Sequence, residues 1–154
     1  MPKHFIAFAT LAAVVLAAGA AVATSTPEIT TARVIRVVAR ADNFKARNAG
    51  PEKATIGDQY FISGALLSED RMQAVGRFDV TCGLTDTRAQ TNNCQATFSL
   101  EGGEIVTGGV SRNTGEPDVD AVYGGTGIYR NARGVVHVGN STEQFIPIVF
   151  RLLP

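Results

Sequence analysis

The amino-acid sequence predicts an all-β domain of about eight strands, arranged as an antiparallel barrel or sandwich. Short segments rich in β-branched and aromatic residues are separated by Gly, Asn, Asp and Pro, a pattern typical of strands joined by turns. No segment keeps a helical period over the length that an amphipathic helix needs. The segments follow one another closely, which favours hairpin pairing between neighbours.

The expected strands each carry β-branched or aromatic residues and are Val34–Arg40, Gln59–Leu67, Ala74–Cys82, Cys94–Leu100, Glu104–Val110, Val119–Tyr123, Gly134–Val138 and Gln144–Leu152. A polar loop is expected at Asp42–Gly57. Side chains alternate between the two faces of a strand, so one face of the third and fourth segments is apolar. The residues on these apolar faces are Phe78, Val80 and Cys82, then Cys94, Ala96, Phe98 and Leu100.

Residues 1–23 are expected to form a signal peptide. An apolar run at residues 5–22 ends in Ala21-Val22-Ala23, the small-residue pattern that signal peptidase recognises. A retained membrane anchor is the alternative, since about 20 apolar residues can span a bilayer. The N-terminal position and the polar residues that follow favour cleavage. We therefore expect a polar lead-in at residues 24–33, a barrel domain at residues 34–154, and a secreted protein.

The charge composition excludes two classes of partner. The chain has 14 Lys and Arg residues against 14 Asp and Glu residues. Nucleic acids and anionic membranes are bound through clustered basic residues, which this sequence lacks. We expect no nucleic-acid partner and no membrane partner once the signal peptide has been removed.

Two cysteines, Cys82 and Cys94, are the candidates for a covalent cross-link. An even cysteine count in an exported protein favours a disulfide. A metal pair and a catalytic thiol are the alternatives. A structural metal site needs about four ligands, and the mature chain would retain His137 as its only histidine. We expect a disulfide that closes a hairpin, and no metal site.

A glycine run at Gly124–Gly127 could be mistaken for a phosphate cradle. A phosphate-binding loop needs a following Lys-Ser/Thr and a helix, and a dinucleotide fingerprint needs a βαβ unit. Neither is present in the sequence. We interpret the run as close backbone packing at a bend of the barrel, and we expect no cofactor.

Residues Val122–Gly134 resemble the GGTG-[FY]-x-x-A-x-G signature of allene oxide cyclases and plant dirigent proteins. Further matches follow in the same order at Gly57-Asp58, Val75-Gly76-Arg77, Ala96–Leu100 and Gly102-Gly103. The resemblance extends over most of the mature domain. It implies an eight-stranded antiparallel barrel of the calycin type, and a homotrimer, since both families are commonly trimeric.

The resemblance also implies which residues face the interior. It places Tyr60, Ile62 and Gly64 at pocket positions and Cys82 at the position of a pocket cysteine. The alternation described above selects the same apolar face. The predicted ligand-binding residues are Tyr60, Ile62, Phe78, Val80 and Phe98. A barrel of this size can hold one small ligand, although these side chains could instead simply fill it.

The sequence departs from the cyclases on its first strand. The glutamate and asparagine that open the allene oxide in those enzymes correspond to Val37 and Ala39 here. This departure argues against allene oxide cyclase activity itself. Asp58, on a predicted barrel rim, is a candidate general acid if a facing apolar cavity raises its pKa. The alternative is that Asp58 caps a turn. Arg130, which matches a dirigent stretch, is a candidate anion partner.

These observations lead to a functional expectation. The chain is expected to bind a small hydrophobic molecule and to guide its cyclisation or coupling without a redox cofactor. A non-catalytic, lipocalin-like binding module is the alternative, followed by a structural cell-surface protein with a filled barrel. A cavity would distinguish the first two from the third. A polar group buried in that cavity with a perturbed pKa would favour an enzyme over a binding module.

Overall fold

Eight antiparallel strands close into a barrel in the computed structural model, which describes residues 32–51, 54–112, 114, 116–142 and 144–154. Each strand pairs with the next along the chain, and the last strand pairs with the first. The predicted eight-stranded antiparallel barrel is therefore confirmed over the sandwich. The predicted signal peptide and nearly all of the lead-in lie outside the described residues. Within those residues, no helix is long and apolar enough to span a bilayer.

The strands, in chain order, are β1 Arg33–Arg47, β2 Gln59–Leu67, β3 Ala74–Asp86, β4 Thr91–Leu100, β5 Gly103–Arg112, β6 Asp118–Gly125, β7 Gly134–Val138 and β8 Phe145–Leu152. A short 3-10 helix at Gly127–Tyr129 lies between β6 and β7. The predicted bounds of β2 and β7 are confirmed at both ends. Most of the other strands are longer than predicted, because polar residues near their turns stay paired with the neighbouring strand.

The predicted loop at Asp42–Gly57 is wrong in its first part, because β1 continues to Arg47. This half of β1 pairs residue by residue with the start of β2. The register shifts between Ala41 and Asn43, which leaves Asp42 in a β-bulge. The side chains beyond the bulge are exposed on both faces, so the alternation that reveals a half-buried strand is missing there.

The two terminal strands close the barrel. The register runs from Arg33 opposite Leu152 to Arg40 opposite Phe145. Closure leaves no open sheet edge in the wall formed by the eight described strands. The interior is therefore bounded on all sides by backbone that is already hydrogen-bonded.

One end of the barrel is filled by apolar side chains. Leu66, Ile105, Val136 and Phe150 have no exposed surface at all. The Phe150 ring meets the ring of Phe98 edge-on, with centroids 4.9 Å apart and planes at 83°. Such packing adds stability beyond the burial of area alone. The core therefore occupies the half of the barrel that contains the ends of β2, β4 and β8 and the starts of β3 and β5.

The glycine run at the end of β6 packs against the β4–β5 turn at this filled end. Gly127 has a φ of 59°, and a Cβ there would collide with the carbonyl oxygen of Gly102. A Cβ on Gly125 would collide with the carbonyl oxygen of Glu104. The interpretation of this run as close backbone packing is confirmed. The turn it forms leads to Tyr129, whose buried side chain belongs to the core.

Candidate functional site

A cavity of about 150 Å³ lies in the half of the barrel that the core does not fill. Its wall contains all five predicted ligand-binding residues, namely Tyr60, Ile62, Phe78, Val80 and Phe98. Their role in binding a ligand remains a prediction, but the structure brings them together around one space. The barrel is therefore only partly filled, which favours the two ligand-binding hypotheses over a structural protein with a filled barrel.

The wall formed by β2, β3 and β4 is apolar and regular. Ile62 lies opposite Val80, and Val80 lies opposite Ala96 on the next strand. Nearer the core, Phe78 lies opposite Phe98. Directly opposed side chains on one face of an antiparallel sheet are in contact, so these layers form a continuous surface.

The predicted disulfide between Cys82 and Cys94 is confirmed. The two residues are directly opposed on β3 and β4, with an S–S distance of 2.04 Å and a Cα–Cα distance of 4.1 Å. Both line the cavity, and the Tyr60 hydroxyl lies 3.8 Å from the Cys94 sulfur. The disulfide excludes a free catalytic thiol in this state. In the part of the chain that the structure describes, no cluster of three or more potential metal ligands occurs.

The opposite wall, formed by β5 and β6, is polar. Thr107 and Ser111 of β5 and Asp118 and Asp120 of β6 line the cavity. Sequence reasoning missed these residues. The alternation in β6 is inverted, because Asp118 and Asp120 face inward while Val119 is 56% exposed on the outer face. Two aspartates spaced by one residue within a β-strand were the available signal.

Asp120 is the most unusual polar group in this wall. Its side chain is partly buried, and its buried Oδ1 atom has no hydrogen-bond partner among the residues that the structure describes. Burial raises the pKa of the Asp120 carboxyl, and the negative charge of Asp118 raises it further. Gly109 on β5 provides the space, because a Cβ there would collide with the Asp120 carboxyl oxygen.

Thr107 provides a second unsatisfied group beside it. The residue is 1% exposed, and none of the described residues forms a hydrogen bond with its buried Oγ1 atom. Thr107 lies opposite Val122, so Asp120 is its diagonal neighbour on the lumen face. Buried polar atoms are almost always paired in folded proteins, and two unpaired atoms in one cavity wall therefore require an explanation.

Tyr60 lies across the lumen where the cavity opens. Burial raises the pKa of the Tyr60 hydroxyl, and the charge of Asp118 raises it further, so the phenol stays neutral and can donate a hydrogen bond. The Phe44 ring stacks outside it, with centroids 6.1 Å apart. A groove of about 480 Å³ shares Tyr60 and Asp118 with the cavity and forms its entrance.

The two predicted catalytic residues lie elsewhere. The Asp58 carboxylate accepts hydrogen bonds from the backbone N–H groups of Ala49 at 2.6 Å and Thr55 at 2.9 Å. These bonds lower the pKa of Asp58, so the expectation of a raised pKa is wrong and the turn-capping alternative is correct. Arg130 is exposed at the end of the 3-10 helix and does not line the cavity. The structure thus brings neither residue to the predicted ligand-binding residues.

No protein-family model and no curated protein matches the chain. Solved structures share its barrel. Pyocyanin demethylase has a TM-score of 0.68 and 23% identity, over 79% of this chain and 99% of its own. The Diels–Alderase AbmU from Streptomyces koyangensis has a TM-score of 0.64 and 14% identity, over 79% and 69% of the two chains. The pterocarpan synthase dirigent protein GePTS1 has a TM-score of 0.60 and 15% identity, over 79% and 87%.

At these identities the likeness establishes the fold and nothing finer. It confirms the dirigent-like part of the predicted resemblance at the level of the barrel. It supports a barrel shared by dirigent proteins and cyclases, and not allene oxide cyclase in particular. The chain therefore has the closed antiparallel barrel fold that also occurs in a demethylase, in a cycloaddition enzyme and in a dirigent protein.

Proposed function

We propose that this protein is an enzyme that holds one small, mainly hydrophobic molecule in the barrel cavity and guides its cyclisation or coupling without a redox cofactor. The observation that carries the proposal is the partly buried carboxyl of Asp120, whose buried Oδ1 atom has no hydrogen-bond partner among the described residues, in a cavity whose other wall is apolar. Such a group does not serve the fold, because an unsatisfied buried polar atom destabilises it by about 1–3 kcal/mol.

The apolar wall supplies confinement. Phe78 and Phe98 are each 3% exposed and sit at the bottom of the cavity, held by the packed core below. Rigid walls select one conformer of a flexible ligand, which removes part of the entropy that ring closure would otherwise lose. The same walls exclude water and so protect a reactive intermediate.

The polar wall supplies proton transfer. A carboxyl with a raised pKa retains its proton closer to neutral pH and can donate it or take it back during a reaction. The neutral Tyr60 hydroxyl at the cavity opening can donate a hydrogen bond to a developing negative charge. In this proposal Asp120 takes the acid–base role that the sequence had assigned to Asp58.

The structural neighbours support this class of reaction without defining it. One is named for a Diels–Alder reaction and another as a pterocarpan synthase dirigent protein. Pyocyanin demethylase is named for the removal of a methyl group, so one barrel serves different chemistries. The residues of the cavity therefore decide the reaction, and the fold does not.

The alternative is a non-catalytic binding module. One observation favours it: Ala39 lines the cavity at the position where the cyclases were expected to carry a catalytic side chain. The first strand thus contributes an apolar surface to the cavity. The two functions share a cavity and differ in whether the bound molecule is changed.

We also propose that the protein is secreted and that it forms a homotrimer. The disulfide is compatible with an oxidising, extracytoplasmic location. Val119, Tyr123 and Val135 expose apolar surface on the outer face of β6 and β7, where a homotrimer could be formed. Light scattering of the purified mature protein measures its mass directly, and a monomer at micromolar concentration would exclude the trimer.

The first experiment is native mass spectrometry of the mature protein from its own host's culture. A co-purified small molecule identifies the compound class, and a panel of fatty-acid oxides, phenylpropanoids and polyketides extends it. At saturating ligand, we expect Asp120→Asn to convert the bound molecule at least about 100-fold more slowly than the wild type, even where its affinity is reduced.

Asp79→Asn is the matched control, because this carboxylate lies on the outer face, 60% exposed and 3.5 Å from Arg77. The control should convert the ligand at the wild-type rate. Binding without any conversion by the wild-type protein would favour the binding module. An equal rate in Asp120→Asn would remove Asp120 from the mechanism.

A further inference from the structure

We infer that the molecule bound in the cavity carries a cationic amine or another strong hydrogen-bond donor, which is held at the corner formed by Asp120 and Thr107, and that organic acids are excluded. The inference deepens the proposed function and rests on it, because it names the class of ligand for the same cavity.

Thr107 is the first reason. Its side chain is almost fully buried and lines the cavity, and within the described part of the chain its Oγ1 atom has no hydrogen-bond partner. A threonine at this position could be replaced by a valine of the same shape without leaving an unpaired oxygen. The hydroxyl would be satisfied by a ligand group that reaches the corner, and Asp120 Oδ1 would be satisfied by the same group.

The sign of the charge is the second reason. The cavity wall contains two carboxylates, Asp118 and Asp120, and none of the described residues that line it is a lysine, arginine or histidine. At the entrance, Glu116 adds a further acid and Arg112 a base. A carboxylate ligand would be desolvated beside like charges in a poorly solvated space, whereas a cation would be paired with them.

Few other described titratable groups lie close enough to Asp120 to cause a pH dependence of ligand binding. Asp118 lies on the same strand, and Tyr60 faces it from across the lumen. Tyr129 of the 3-10 helix is buried at the filled end. The lumen-facing residues on the strands that flank β6 do not titrate, and they are Thr107, Gly109, Ser111, Val136 and Val138. A cation bound at the corner would favour the ionised form of Asp120, so its binding would release a proton.

Four naphthalene probes test the inference: naphthalene, 1-naphthalenemethanol, 1-naphthylmethylamine and 1-naphthoic acid. They share one apolar body and differ in the polar group. The chain has no tryptophan, so the naphthyl fluorescence can be followed without an indole background. Dissociation constants are measured with the folded, disulfide-bonded mature protein from pH 5 to pH 9.

We expect the amine to bind at least about tenfold more tightly than the acid at neutral pH, with the alcohol between them, because charge-assisted hydrogen bonds are the strong ones. Amine affinity should rise with pH as the Asp120 carboxyl loses its proton, and fall again at the top of the range where the probe's own ammonium group loses its proton. Asp120→Asn should reduce amine affinity about tenfold and flatten this pH dependence. Thr107→Val should weaken the amine and the alcohol several-fold while leaving naphthalene unchanged.

The outcomes separate the inference from the proposed function. If naphthalene binds and the acid binds as tightly as the amine, the inference is overturned while a hydrophobic cavity remains. If no probe binds, including naphthalene, both ideas fail. If Thr107→Val weakens all four probes equally, its hydroxyl is not part of the site, and the corner is overturned.

Discussion

The two walls of the cavity differ in what they do for the protein. The β2–β4 wall is apolar, carries the disulfide, and continues directly into the core through Phe98 and Phe150. The β5–β6 wall carries Asp120 and Thr107, whose Oδ1 and Oγ1 atoms have no hydrogen-bond partner in the part of the chain that the structure describes. Among the described residues, the first wall leaves no buried side-chain polar atom unpaired, whereas the second leaves two. Departures of this kind from the rules of folding occur mainly at functional sites.

This difference predicts that substitutions in the first wall lower stability, whereas substitutions at Asp120 in the second wall lower conversion without lowering stability. Phe98→Ala is expected to have the largest effect. Removal of a ring that is 3% exposed and packed edge-on against Phe150 should lower the free energy of unfolding by about 3–5 kcal/mol. Urea denaturation followed by circular dichroism measures it. A loss below about 1 kcal/mol would mean that this wall is not continuous with the core.

Removal of the disulfide is the next largest effect. The double substitution Cys82→Ala and Cys94→Ala opens a loop with a sequence separation of 12. The free energy of unfolding should fall by about 3 kcal/mol, because the unfolded chain regains the entropy of that loop. Wild-type protein unfolded in a reducing agent is the control and should show the same midpoint. A larger loss in the variant than in the reduced protein would indicate that the sulfur atoms also pack the wall.

Asp120→Leu is expected to raise the free energy of unfolding, whereas the two preceding changes lower it. Leucine has the same branching as aspartate and removes a partly buried carboxyl with an unpaired Oδ1 atom, so the free energy of unfolding should increase by about 1–2 kcal/mol at neutral pH. The same variant should fail to convert the ligand. This combination of a more stable fold and lost activity marks a residue kept for function. A destabilised variant would show that the carboxyl has a partner in solution.

The smallest expected effect is the pH dependence of the difference in unfolding free energy between Asp120→Leu and the wild type. The folded protein raises the pKa of Asp120, so this residue favours folding most at low pH and loses that contribution as pH rises through the folded pKa. Asp58, Asp70 and Asp86 have lowered pKa values and act in the opposite direction. Their contributions cancel when the variant is compared with wild type.

The excess stability of Asp120→Leu should therefore grow from about pH 4 upward and level off above the folded pKa. Thermal unfolding of both proteins over a series of pH values measures it. A constant difference across the series would mean that the Asp120 pKa is the same in the folded and unfolded states.

The sequence predicts the apolar wall well and the polar wall poorly, for one physical reason. Alternation assigns the apolar face of a strand to the interior, and this holds for Phe78, Val80 and Phe98. In β6 the rule points the wrong way, because Asp120 faces the lumen and Val119 faces outward. A polar side chain that faces a cavity cannot be recognised from the hydrophobicity pattern of its strand.

The chosen acid illustrates the same limit. Asp58 sits beside glycine at a turn, where aspartate is common because its side chain accepts backbone hydrogen bonds. The structure shows this use, with bonds from Ala49 and Thr55. Distinguishing a capping aspartate from a catalytic one requires the tertiary fold, since Asp120 acquires its environment from Gly109 and Thr107 on a neighbouring strand.

The pairing of β1 with β8 has a consequence for the chain during its synthesis. Every other pair of neighbouring strands is adjacent in sequence, whereas this pair joins Arg33 to Leu152 across the whole domain. Until β8 is available, β1 and β7 each present an unpaired edge that can recruit a second chain. Without β8, the edges of β1 and β7 would both stay unpaired and prone to aggregation. A chain terminated before β8 should therefore form inclusion bodies.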